Sequence, residues 1–78
     1  MDNYANNEKV IDLRRQAAEY FQKAAWNQMM SLENYRKNNL SAADRFAQLS
    51  FDAQMYAVEC AELADAELAL NDFLELEE

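Results

Sequence analysis

The 78-residue sequence has no glycine, no proline and no histidine, and it has a single cysteine. Hairpin turns, phosphate-binding loops and strand boundaries usually depend on glycine or proline, so the composition argues against a mainly β or α/β fold. A lone cysteine cannot form an internal disulfide, and no apolar run has the length of a signal-peptide core or a membrane span. We therefore expect a soluble, cytoplasmic protein that does not bind membranes.

Helix-forming residues make up much of the chain instead. Alanine, leucine, glutamate and glutamine are abundant, and they lose little side-chain freedom on entering a helix. We expect an all-α fold with one small domain that spans residues 1–78. A core of this size is marginal without metals, disulfides or oligomerisation, so self-association is part of the expectation.

The stretch YRKNNLSAADRF at residues 35–46 contains the strongest boundary signal. Asn38 or Asn39 can adopt the left-handed conformation that ends a helix, and Ser41 with Asp44 three residues later resembles a capping box. The pattern predicts that one helix ends here and that a second begins almost at once.

Two long helices, at about residues 7–38 and 41–76, follow from this boundary. Asn7 is the candidate N-cap of the first helix, and residues 1–6 are expected to fray. A connection this short joins antiparallel neighbours, so the sequence predicts a helical hairpin.

Apolar residues recur along both predicted helices at spacings of three and four, which predicts near-parallel packing of one helix on the other. The apolar arc of the first helix contains Val10, Leu13, Ala17, Tyr20, Phe21, Ala24, Ala25, Leu32 and Tyr35. The predicted seam of the second helix contains Ala42, Phe46, Leu49, Ala53, Tyr56, Cys60, Leu63, Leu70 and Leu74, with Glu67 out of pattern.

A second apolar stripe, formed by Phe51, Met55 and Val58, lies on the side of the second helix away from that seam. Two hairpins that pair into a four-helix bundle would cover both stripes. We therefore expect a homodimer with these three residues at the oligomer interface, although a different protein could cover the same stripe.

Charge is divided unevenly between the two halves of the chain. Residues 1–39 hold six basic and five acidic residues, whereas residues 40–78 hold ten acidic residues and Arg45 as their one cation. Beyond Val58 the outer stripe of the second helix becomes acidic, with Glu62, Asp65, Asp72 and Glu75 as its candidate partner-binding residues. Such a field repels nucleic acid and lipid phosphate and attracts basic protein surfaces. A simpler interpretation is that the acids only maintain solubility.

Trp26 and Met30 form a second candidate partner-binding site. They lie one helical turn apart on the otherwise polar side of the first helix, and an exposed Trp–Met pair ringed by charge is typical of an interface anchor. The alternative is that Trp26 packs across the hairpin or under a dimer mate.

Few residues in the sequence could carry out catalysis. Without histidine, the chain lacks the usual general base near neutral pH and the commonest transition-metal ligand. Cys60 is expected to be a buried structural thiol, and Glu59 with Glu62 a solvated pair, because the Glu-x-x-His motifs of di-metal bundles are absent. Glu67 could fix the register, meet Arg14 or mark the fraying of the seam. We expect no catalytic residue, metal or cofactor.

Two functional hypotheses follow. The first is a non-enzymatic acidic regulator or inhibitor that occupies a basic, nucleic-acid-binding type of surface on a target protein, with its acids in place of phosphates. Small size, helical build and acidity are shared with nucleic-acid mimics and phage-encoded inhibitors of host defence, and also with many unrelated adaptors. The second hypothesis is a self-assembling structural or adaptor bundle subunit.

Overall fold

The computed structural model describes the backbone of residues 4–76 and the side chains of residues 7–74. Two helices, α1 (Tyr4–Arg36) and α2 (Leu40–Leu76), pack against each other along their length. They form a thin rod with principal extents of 61 × 15 × 11 Å. The predicted all-α helical hairpin is confirmed for the described residues.

The first helix begins at Tyr4, three residues before the predicted start. Asn7 therefore lies inside α1 and does not cap it, which corrects the prediction. With no glycine or proline nearby, nothing in the local sequence stops the helix from extending toward the N-terminus. Residues 1–3, part of the segment expected to fray, lie outside the described residues.

The end of α1 is closed by the Schellman motif. Asn38 has a φ of 63°, and its amide donates a hydrogen bond to the Tyr35 carbonyl at 3.0 Å. The amide of Asn39 donates to the Asn34 carbonyl at 2.7 Å, which completes the pattern of paired reverse bonds. The predicted left-handed turn is thus present, and it is at Asn38.

The second helix starts one residue earlier than predicted. It begins at Leu40, and the Ala43 amide donates to the Asn39 carbonyl at 2.9 Å, so Asn39 is the N-cap residue. Ser41 lies inside the first turn, and the predicted capping box with Asp44 is wrong. The Asp44 carboxylate instead accepts a 2.8 Å hydrogen bond from the Tyr35 hydroxyl, and this bond raises the pKa of Tyr35 above its ordinary value.

Small residues, rather than large ones, form the seam between the helices. Every seventh residue of α2 from position 43 is buried, and every seventh residue of α1 from position 17 is buried as well. These residues are Ala43, Ser50, Ala57, Ala64 and Asn71 on α2, and Ala17, Ala24 and Ser31 on α1. Such small side chains let two helices approach closely.

The predicted seam is therefore partly wrong. Ala53 is buried, and Phe46, Cys60 and Glu67 are half-buried, but five predicted seam residues are exposed: Leu49, Tyr56, Leu63, Leu70 and Leu74. On α1, Phe21, Ala25, Leu32 and Tyr35 are exposed as well. Helix α2 is rotated by about 50°, half the angle between successive residues, relative to the prediction.

Two serines explain why the helices meet through this seam. The Ser31 hydroxyl donates to the Ala43 carbonyl at 2.8 Å, and the Ser50 hydroxyl donates to the Ala24 carbonyl at 2.7 Å. Both hydrogen bonds are buried and cross from one helix to the other. Leucine or tyrosine at these positions would hold the backbones too far apart for such bonds to form.

Ion pairs join the two helices on both flanks of the seam. Arg14 pairs with Asp65 at 2.6 Å, and Lys9 pairs with Glu67 at 3.5 Å. The suggested pairing of Arg14 with Glu67 is thus replaced by two separate pairs. Both lie at the surface, so each contributes little to stability on its own.

Candidate protein-binding surfaces

The hairpin has two broad faces, which its cross-helix contacts identify. The front face is the side that carries the Arg14–Asp65 ion pair and the Tyr35–Asp44 hydrogen bond. Its exposed large apolar residues include Ile11, Phe21, Leu32, Phe51, Val58 and Leu68. Alanines fill the space between them: Ala18, Ala25, Ala47 and Ala61.

The back face is the side on which Tyr20 stacks on Tyr56, with ring centroids 5.4 Å apart. Along it runs the Leu/Tyr stripe, which consists of Leu49, Tyr56, Leu63 and Leu70. These residues are spaced seven apart and all are exposed, with Leu63 at 57 % of its full accessibility. Sequence reasoning placed this stripe in the seam between the helices and so missed it as a surface.

A shallow depression next to the stripe is lined by Asp52, Met55, Tyr56 and Glu59. These are positions i, i+3, i+4 and i+7 of α2, the four-residue hole that receives one side chain of a partner helix in knobs-into-holes packing. Two walls are carboxylates and two are apolar. A lysine or arginine fits this chemistry, because its aliphatic stem can lie on Met55 and Tyr56 while its charge meets the acids.

The acidic residues predicted as partner-binding lie mainly on the outer and front sides of α2. Glu62, Asp65 and Asp72 are exposed, and Asp65 is already paired with Arg14. Glu62 and Asp72 form no ion pair among the side chains of residues 7–74. The Glu75 side chain lies outside the described residues.

Trp26 lies on the solvent side of α1, with 61 % of its surface exposed, so it does not pack across the hairpin. Met30, one turn later, is half-buried, whereas the adjacent Met29 is as exposed as Trp26. Lys23, one turn before Trp26, lies 5.3 Å from the centroid of the Tyr20 ring. Trp26 thus borders the back face through Lys23 and Tyr20.

The residues proposed for the oligomer interface are all exposed, as an intermolecular contact requires. Phe51 and Val58 lie on the front face, with Phe51 exposed at 56 %. Met55 lies between that face and the depression on the outer side of α2, which it lines.

Among the side chains of residues 7–74, those with possible chemical roles are not gathered into a site. The Cys60 thiol is half-buried and lies 3.9 Å from the Gln16 side-chain oxygen. Within the part of the chain that the structure describes, no three or more cysteine or acidic side chains are grouped closely enough to hold a metal ion. Neither α1 nor α2, over the residues described, has a stretch long and apolar enough to cross a membrane.

Comparison with protein-family models, with curated proteins and with solved structures finds no match for the chain. What the hairpin binds is therefore inferred from the shape, polarity and charge of its two faces.

Proposed function

We propose that the protein is a non-enzymatic acidic regulator that docks its back face on a basic surface of another protein. The Leu/Tyr stripe, exposed along α2 and bordered by Asp52 and Glu59, is the observation that supports this most. An apolar stripe beside carboxylates suits a partner whose apolar side chains alternate with lysine or arginine.

The depression on α2 gives the proposal a specific contact. One basic side chain of the partner enters between Asp52 and Glu59, while neighbouring apolar side chains cover Tyr56 and Leu63. Trp26 extends the same contact surface onto α1, since Lys23 and the stacked tyrosines join the two helices there. A large exposed aromatic residue at the edge of an apolar stripe is typical of an interface hot spot.

The acidic second half of the chain suggests the class of target. Residues 40–78 carry a net charge of −9, which attracts surfaces that evolved to bind phosphate. Glu62 and Asp72, unpaired among the described side chains, extend the acidic surface beyond the depression. The regulator therefore competes with nucleic acid for a basic surface on its target.

A binding titration with a defined probe tests this proposal. The probe is a synthetic amphipathic helix with leucine and arginine in heptad register, and Trp26 fluorescence reports its binding. The double variant Asp52→Asn/Glu59→Gln is expected to bind about tenfold more weakly, with further weakening of the wild type as salt is raised. The matched control, Glu8→Gln/Glu33→Gln, removes the same charge from α1 and should change affinity by less than about twofold.

Equal weakening by the two double variants would show that only net charge matters, and it would contradict a specific site on α2. Affinity for the synthetic helix that does not depend on salt would contradict the phosphate-mimic part of the proposal. So would a natural target from which double-stranded DNA does not displace the protein.

A structural or adaptor bundle subunit is the second candidate, and the exposed front face favours it. In that case the acids only maintain solubility. Neutralising Asp52 and Glu59 would then leave every interaction of the protein unchanged, whereas replacing Phe51 by aspartate would break its assemblies.

A further inference from the structure

We infer that a second copy of the chain covers the front face in a two-fold antiparallel arrangement, with the two interhelical loops at opposite ends. In this dimer α1 packs on α1 and α2 packs on α2, so Ile11 of each copy enters a depression near the loop of the other. The inference goes beyond the proposed function, because it concerns the face opposite the Leu/Tyr stripe.

The exposed area of the hairpin fits an interface of ordinary size. The chain has an accessible surface of 5939 Å² and a mass of 9.1 kDa. A globular monomer of that mass exposes about 4,900 Å² by the usual scaling of surface with mass. The excess is roughly 1,000 Å², and a standard protein–protein interface removes about 800 Å² from each partner.

One heptad line of α1 on the front face is nearly symmetrical about a point between residues 21 and 22. Ile11, Ala18, Ala25 and Leu32 lie seven residues apart along one line of the helix. The midpoint of Ile11 and Leu32 falls between residues 21 and 22, and so does the midpoint of Ala18 and Ala25. A two-fold axis at this point therefore places large residues opposite large ones and alanine opposite alanine.

A depression on α1 supplies the receiving site for Ile11. It is lined by Gln28, Met29, Ser31, Leu32 and Tyr35, which include another i, i+3, i+4, i+7 hole. The hole is centred between Ser31 and Leu32, and it lies about as far after the point between residues 21 and 22 as Ile11 lies before it. Ile11 is exposed at 63 %, so it is available as the inserting side chain.

A heptad line on the front face of α2 is symmetrical about a point between residues 54 and 55, which lies level with the symmetry point of the α1 line. Asp44, Phe51, Val58 and Asp65 are spaced seven apart, and Val58 of the second copy falls opposite Phe51. The Ser50–Ala24 hydrogen bond places the middle of α2 beside the middle of α1, so one two-fold axis serves both helices. By the same rule Asp65 of the second copy falls opposite Asp44, and Arg14, already bonded to Asp65, lies between these carboxylates, where it can meet both.

Charge distribution favours this orientation over the one with both loops at the same end. Residues 21–55, at the loop end, hold four basic and three acidic residues, a net charge of +1. Residues 7–20 and 56–74, toward the open end, hold three basic and eight acidic residues, a net charge of −5. Antiparallel copies place the basic end of one beside the acidic end of the other. With loops together, the acidic ends would adjoin, and Ile11 and Leu32 would face Asp65 and Asp44.

Cysteine cross-linking in a Cys60→Ser background tests the orientation. An oxidised mixture of the Ala18→Cys and Ala25→Cys proteins is expected to give a disulfide-linked heterodimer in high yield, since the two positions adjoin across the axis. A mixture of Ala25→Cys and Phe51→Cys should link poorly. Preferential linkage in this second mixture would show that the loops lie together, and it would overturn the inference.

Sedimentation equilibrium of two matched variants tests which face of the hairpin forms the dimer interface. Phe51 and Leu63 are both large, apolar and about equally exposed, at 56 % and 57 %, but they lie on opposite faces. Phe51→Asp is expected to abolish the dimer, and Leu63→Asp to preserve it. A wild type that stays monomeric, or a dimer lost through Leu63→Asp alone, would overturn the inference.

The same two variants separate this inference from the proposed function. Leu63→Asp should abolish binding of the synthetic helix and leave the dimer intact. A result that overturns the dimer therefore does not contradict partner binding by the back face. Because Phe51→Asp can also reduce helicity, circular dichroism is measured on the same samples. The cross-linking experiment at Ala18 and Ala25 does not depend on any disruptive variant.

Discussion

At the scale of single residues, small side chains determine how the two helices meet. Ser31 and Ser50 each donate a buried hydrogen bond to a backbone carbonyl of the other helix. Large residues cannot occupy these places without separating the helices. The hairpin therefore keeps its large apolar side chains for contacts outside the seam.

Substitution of Ser50 tests this role. Ser50→Ala is expected to lower the free energy of unfolding by about 1 kcal/mol, because the Ala24 carbonyl keeps its own helical hydrogen bond and loses only a second donor. Ser50→Leu should cost more, about 1–3 kcal/mol, because it overpacks the seam. Urea unfolding at one fixed protein concentration measures both. The control Gln22→Leu places the same leucine side chain at an exposed position of α1 and should have little effect.

Tyr35 supplies a prediction about pH. Its hydroxyl donates to the Asp44 carboxylate, and this bond raises the pKa of Tyr35. The contribution to stability is complete below the ordinary pKa of tyrosine and is lost as pH rises through the raised value. An ultraviolet titration of the phenols should therefore show that one tyrosine ionises at lower pH in Asp44→Asn than in the wild type. Identical titration curves would show that the bond is absent in solution.

At the scale of the elements, the sequence predicts the helices and the turn better than their rotation. The Asn-Asn pair after Arg36 and Lys37 is enough to locate the turn, because asparagine tolerates positive φ. The start of α1 is harder to predict, since no glycine or proline stops the helix between Tyr4 and Asn7.

The rotation of α2 was mispredicted because large apolar residues were given the most weight. Leu49, Tyr56, Leu63 and Leu70 repeat every seven residues, as a seam does, and so does the small-residue line that begins at Ala43. Matching small residues on α1, Ala17, Ala24 and Ser31, were the signal for the correct choice. The back face could not be predicted as a surface while its stripe was assigned to the interior.

Substitution of Asn38 tests the contribution of the turn that joins α1 to α2. With a φ of 63°, Asn38→Val should lower the free energy of unfolding by about 1–2 kcal/mol, because a β-branched residue is strained in this conformation. Asn38→Gly should be neutral or stabilising, since glycine is the residue preferred at this position of the Schellman motif. Thermal and urea unfolding at equal concentrations check the two values. A valine variant as stable as the wild type would contradict the importance of this turn.

At the scale of the whole molecule, the hairpin leaves most of its large apolar side chains at the surface. Within the described residues, every fully buried hydrophobic side chain is an alanine. Alanine burial alone provides little hydrophobic free energy, so we expect covering of the two faces to raise the stability of the fold. The front face suits a second copy, and the back face suits a basic partner.

Stability should therefore depend on protein concentration. If a second copy covers the front face as proposed, dilution separates the copies, exposes Phe51 and its neighbours to water, and removes a large share of the apolar burial. The midpoint of thermal unfolding is expected to rise with concentration for the wild type and for Leu63→Asp. It should stay constant for Phe51→Asp, which has no dimer to lose.

Sedimentation equilibrium combined with circular dichroism, over a wide range of dilutions, measures whether the hairpin needs a second copy to stay folded. The proposed dimer should have a mass twice the 9.1 kDa of the chain at high concentration, with mass and helicity falling together on dilution. A species of 9.1 kDa that keeps full helicity at every concentration would contradict it, because the alanine seam would then be sufficient by itself to hold the fold.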